Sequence, residues 1–136
     1  MAKWISLIEK EDPRGRLTVI EKSLPFEVKR IATVEPTPDS KRGGYSFKST
    51  DCAVVCLKGS CKAHLQSDSK RSEFTLDDSG KALFIESKQW RELYDFEPGT
   101  FLMFLYSKEY EKDELVFQRP SANRPQSREQ HPQAEL

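Results

Sequence analysis

The sequence predicts an all-β fold, a sandwich or barrel of many short strands. Three observations point to it. The apolar runs are short and rich in β-branched and aromatic residues. Turn signals built from Gly, Pro, Asp and Ser separate them at regular intervals. A helical period is absent from all but one segment near the C-terminus, and short evenly spaced strands without helices belong to sandwiches and barrels. At 136 residues the chain is one domain with room for one core.

Taken in order, Trp4, Ile5, Leu7 and Ile8 form the first apolar run, which ends at the turn EDPRG. LTVIEK and PFEVKRIATVE follow as strands, and PTPDSKRGG interrupts with two prolines and two glycines. CAVVCL reads as a strand buried on both faces, and KGS as a tight connection that makes a hairpin with CKAHL. SDSKRS is a polar loop before the strand EFTL, and DDSGK a turn before ALFIE. WRELYDF alternates, EPG turns, and TFLMFLYS closes the set. SKEYEKDELV predicts a short C-terminal helix, with Ser107 as N-cap and acidic residues early. The domain spans 1–118. From Arg119 onward the polar, proline-containing stretch 119–136 predicts a disordered or loosely attached tail, because it cannot bury enough surface to offset its ordering entropy.

Composition excludes several function classes. Lys plus Arg and Asp plus Glu number 22 each, which argues against the basic excess of a nucleic-acid-binding protein. No apolar run approaches the ~20 residues of a membrane-spanning helix. The N-terminus becomes charged too early for a signal peptide, so the expected location is cytoplasmic. Cys52, Cys56 and Cys61 have neither the parity of a disulfide framework nor zinc spacing, and read as small buried strand residues.

The stretch RGGYSFK, Arg42 to Lys48, has the build of a functional loop: two glycines for a turn, flanked by two cations. Its order among the strings DPRGRLTVIE, LPFEVKRI, VVCLKGSCK, WRELYDF and SKEY resembles the TDP-4-keto-6-deoxyglucose 3,4-ketoisomerases, a family of small cupins that make deoxysugar precursors for bacterial glycans. The resemblance covers about Asp12 to Leu115. It implies a jelly-roll cupin, a TDP-linked sugar ligand, no cofactor, and a homodimer in which a strand can be exchanged.

The family's site motif reads RGxHAHK. Laid on this chain, Arg42, Gly43 and Lys48 match, while Tyr45 and Phe47 stand at the two histidines that the family uses to move protons. Histidine suits that work because its pKa of ~6.5 lets one ring accept or donate near neutrality. Phe47 can do neither, and a tyrosine near pKa ~10 is a poor base but a plausible acid or donor. An HxH metal site would lose the same two ligands, so no metal is expected. Of the two histidines in the chain, His64 shares a strand face with Lys62 and is expected at the surface, and His131 lies in the tail.

The remaining candidates are Arg30, Arg42 and Lys48 as diphosphate partners, Trp90 as a stacking surface or core residue, and Glu92 as a substitute base paired with Tyr45 as acid. The resemblance therefore implies a TDP-sugar-binding cupin without the standard isomerase chemistry. The alternatives are a ketoisomerase with rebuilt acid and base groups, or a structural partner of an active relative.

Overall fold

A computed structural model describes residues 2–68 and 70–120. Twelve strands appear among them: β1 Ala2–Ser6, β2 Ile8–Asp12, β3 Gly15–Val19, β4 Arg30–Val34, β5 Arg42–Phe47, β6 Cys52–Lys58, β7 Cys61–Ser67, β8 Lys70–Leu76, β9 Lys81–Ile85, β10 Trp90–Tyr94, β11 Phe101–Tyr106 and β12 Leu115–Val116. One antiparallel sheet runs β1-β9-β6-β11-β4 and a second runs β12-β5-β10-β7-β8, while β2 and β3 form a separate hairpin. Among the described residues no helix is long and apolar enough to cross a membrane.

The main core lies between the two sheets. Val54, Leu83 and Leu102 from the first meet Leu65, Leu76 and Leu93 from the second. A smaller cluster covers the other face of the first sheet, where Ala53, Val55 and Leu105 pack under Leu24, Phe26 and Val28. This second layer explains why Cys52 to Cys56 are all buried, as the unbroken apolar run CAVVCL predicts. It also shortens the expected strand PFEVKRIATVE to Arg30–Val34, because the residues before Arg30 are used as cover. The three cysteines are free and buried, in keeping with a packing role. Burial, with Cys56 a lesser cause, pushes the Cys61 thiol up to about 12.

Three local expectations are corrected. The KGS connection does not close a hairpin: β6 is flanked on both edges by β9 and β11, so β7 has no edge to join and crosses to the other sheet. Gly59, at φ +81°, turns the chain there, with Thr100 so close that a Cβ would collide with it. The polar stretch SDSKRS is mostly strand, since Ser67 already pairs with Lys70 in the β7–β8 hairpin. The C-terminal helix is reduced to one 3₁₀ turn, Lys112–Glu114, with Glu111 at the N-cap position and no side-chain capping bond. Ser107 does not cap it; its hydroxyl accepts the Asp51 N–H at 2.8 Å. A helix this short has no buried face to hold it, while the extended Leu115 and Val116 gain backbone partners on β5.

Candidate functional site

The stretch Arg42 to Phe47 is a strand, not a loop. Its glycines make a bulge within it: Arg91 pairs with Tyr45 and Glu92 with Gly43, so Gly44 is passed over. Both glycines have positive φ, +98° and +87°. A Cβ on Gly43 would lie 2.7 Å from the Arg91 carbonyl oxygen, so only glycine fits. The bulge sets the direction of the residues that follow. Tyr45 and Phe47 point into the main core and are almost fully buried, at 2% and 5% exposure.

From these two rings an aromatic column crosses the barrel. Tyr45 and Phe47 meet edge to face at 5.3 Å, Phe47 meets Tyr106 of the opposite sheet at 5.9 Å, and Tyr106 stacks with Phe104 at 6.2 Å. Two guanidinium groups adjoin the column. Arg30 on β4 lies 4.6 Å from the Tyr106 ring centre and 5.1 Å from that of Tyr110. Arg91 lies 4.9 Å from Phe47 and 5.7 Å from Tyr45. Arg91 is 3% exposed and donates only to the Gln89 carbonyl, through Nε at 3.2 Å and Nη2 at 3.0 Å. Among the described residues no carboxylate comes within ion-pair distance of it, and no Asp, Glu or His is buried.

The structure thus brings together Arg30, Tyr45 and Phe47 from the sequence reading, and adds Arg91 and Tyr106. Strand alternation could have found Arg91, since it shares a face with Leu93; its charge argued against an interior place. Arg42 is half-buried opposite Leu93, on the core-facing side at the start of β5. Lys48 is exposed just past the other end, its N–H donating to the Glu114 carbonyl at 2.9 Å.

Trp90 and Glu92 go elsewhere. On β7 their pairing partners are Gln66 and His64, which places both on the outer face of the second sheet. Glu92 is therefore not brought to Tyr45, and the proposed acid–base pair does not assemble. Trp90 belongs to neither apolar cluster, although it is only 5% exposed. The Arg119 guanidinium sits 4.4 Å above its ring.

His64 also departs from expectation. Its side chain is 16% exposed, enclosed by Trp90, Gln66, Glu73 and Arg119, although it does face away from the main core. The boundary set at Arg119 falls inside a docked segment, as Arg119 and Pro120 both bond to Gln66. The remainder of the expected tail, 121–136 with His131, lies outside the described residues.

Chemically, the interior offers cations and ring faces. Two guanidiniums suit an anion or a polarised carbonyl, and aromatic walls suit a sugar or a base. The one interior side chain among the aromatics of β5 with a transferable proton is Tyr45. Three His, Cys, Asp or Glu side chains converge nowhere among the described residues in a way that would hold a metal ion. An open depression of about 390 Å³ lies at the Cys61 end of β7, lined by Lys62, Asp95 and Glu97, away from Tyr45.

Comparison with known proteins places this architecture. The family model FdtA, described as WxcM-like, C-terminal, matches residues 1–121. The chain is 33% identical over 110 residues to the TDP-4-oxo-6-deoxy-α-D-glucose-3,4-oxoisomerase of Aneurinibacillus thermoaerophilus, covering 79% of each chain. Among solved structures it resembles a point mutant of the 3,4-ketoisomerase QdtA of Thermoanaerobacterium thermosaccharolyticum in complex with TDP-4-keto-6-deoxyglucose, with a TM-score of 0.83 and 30% identity over 86% of this chain and 87% of that one. The WlaRB TDP-quinovose 3,4-ketoisomerase of Campylobacter jejuni matches at a TM-score of 0.82 and 28% identity, over 86% and 92%. With the two facing sheets already in place, the cupin-like jelly roll expected from the sequence is what these structures share, and the chain belongs to the FdtA family of WxcM-like sugar 3,4-ketoisomerase cupins.

Proposed function

We propose that this protein binds a TDP-linked 4-keto-6-deoxysugar inside the barrel and does not isomerise it by the family's two-histidine route. The observation that carries the reading is the interior itself: the buried Arg91 guanidinium and an aromatic column, with the half-buried Arg30 at its end and no buried imidazole or carboxylate among the described residues. Moving a ketone from C4 to C3 needs a base for the C3 proton and an acid for C4. Tyr45 can serve as acid or donor, and no Asp, Glu or His among the described residues is buried with it as a base near neutrality. Relatives solved with TDP or TDP-4-keto-6-deoxyglucose support the ligand class, and fold likeness supports a ligand better than a reaction.

In this reading Arg91 faces the sugar's keto oxygen or the diphosphate, and Arg30, Arg42 and Lys48 supply the remaining positive charge. Glu92 and Trp90, on the outer face, take no part in the chemistry. TDP tests the ligand class directly: at about 100 Kd it should stabilise the fold by roughly 2.7 kcal/mol in a thermal-shift or denaturant titration. No stabilisation by TDP or a TDP-sugar would favour a purely structural partner. A homodimer is part of the same proposal. It is supported by the separate β2–β3 hairpin, which leaves Ile8 and Leu17 47% and 58% exposed, and light scattering that gave a monomer mass would refute it.

A further inference from the structure

Residues 115–120 grip the edge of the second sheet from both sides. Leu115 and Val116 pair with Phe47 and Ser46 along the edge strand β5. The Phe117 ring then lies 6.1 Å from that of Tyr45, on the interior side, and is 50% exposed where Tyr45 is 2%. Phe117 is thus the solvent-exposed neighbour of a buried ring. Two residues later the chain is on the opposite face. There the Arg119 guanidinium covers Trp90, its Nε donates to Gln66 Oε1 at 3.2 Å, its Nη2 lies 3.4 Å from His64 Nε2, and Gln66 Nε2 donates to the Pro120 carbonyl at 2.9 Å.

The segment is anchored at its start and only clasped at its end. Just before it, the Glu114 carboxylate accepts hydrogen bonds from the Thr50 hydroxyl at 2.7 Å, the Ser49 N–H at 2.9 Å and the Ser49 hydroxyl at 3.0 Å. By contrast, no residue of 115–120 is itself buried. Leu115 packs against the main core at the hinge end, while beyond it ring contacts and hydrogen bonds hold the segment, the condition for opening at low free energy. Beneath the clasp, the Trp90 Nε1–H is buried and has no acceptor among the described residues.

We propose that residues 115–120 are a strap that opens and closes the Tyr45 side of the barrel, hinged after Glu114 and clasped by Arg119 on Trp90 and Gln66. Phe117 is the part that covers the interior. The clasp sets how long it stays covered.

Hydrogen exchange and tyrosine nitration on the full chain test this without ligand. In Arg119→Ala, amide exchange over 42–48 and 112–118 should rise by about tenfold, and nitration of Tyr45 by tetranitromethane should rise with it, while exchange over β6 stays unchanged. Arg119→Lys, which keeps the charge but not the planar stack, should fall between. Wild-type exchange and nitration in Arg119→Ala would overturn the strap. So would an equal rise over β6, which would mean that the segment supports the whole fold. What passes beneath the strap rests on the nucleotide-sugar reading. Failure of TDP to bind would strike that reading alone, because neither measurement uses it.

Discussion

Arg91 shows the physical tension of the site most plainly. A guanidinium enclosed among rings, with one carbonyl as its hydrogen-bond partner, is costly to desolvate, and rings recover only part of the cost. Such a residue is stabilised fully only when an anion or polarised oxygen joins it. Arg91→Met should therefore leave the fold as stable as before, or more stable by about 1 kcal/mol, in urea denaturation. The same variant should weaken TDP-sugar binding about tenfold or more by titration calorimetry. A large loss of stability with unchanged binding would show that Arg91 is structural. Gly43→Ala tests the bulge: a Cβ 2.7 Å from a carbonyl oxygen at φ +98° should cost at least about 2 kcal/mol in the same denaturation assay. At this scale the sequence was informative where alternation could be trusted. It separated His64 from the core, but it offered Glu92 as a partner of Tyr45, and the strand pairing places Glu92 on the outer face. It misjudged the exposure of His64 because the covering residue, Arg119, lies 55 positions away, and no local pattern reveals such a partner.

Among the elements, strands were legible and their neighbours were not. CAVVCL announces a strand buried on both faces, yet nothing in it says that both its edges are taken. That fact, fixed by β9 and β11, sends β7 to the other sheet. The C-terminal helix failed for a related reason, since Glu114 and the β5 edge offer better partners than a helix of one or two turns can. Burial raises the Glu114 carboxyl, but hydrogen bonds from Thr50 and Ser49, with the Lys108 charge, outweigh it and hold it below the usual carboxylate range. A depressed folded-state pKa stabilises the fold above the unfolded value and loses that effect as pH falls through the folded one. Acidification should thus loosen the start of the strap before the core. In hydrogen exchange followed against pH, Glu114→Gln should show faster exchange at Lys48 and Ser49 at neutral pH, and less further change on acidification. An acid response identical to the wild type would remove Glu114 from this role.

For the molecule as a whole, two sheets share one core, so damage at the centre should be felt everywhere. Leu102→Ala, at a fully buried position on β11, should cost about 2–5 kcal/mol and lower the unfolding midpoint of both sheets together. The barrel that this core holds is the family's, and its lining carries Tyr45, Phe47 and Arg91. The central claim is that the lining binds the family's kind of ligand without turning it over. One NMR experiment decides it: the protein with TDP-4-keto-6-deoxyglucose in heavy water, followed for saturation transfer to the ligand and for deuterium at sugar C3. Saturation transfer to the nucleotide and sugar, with C3 deuteration no faster than in buffer, is the predicted result. Deuterium entering C3, or the 3-keto isomer accumulating, faster than in buffer would contradict it.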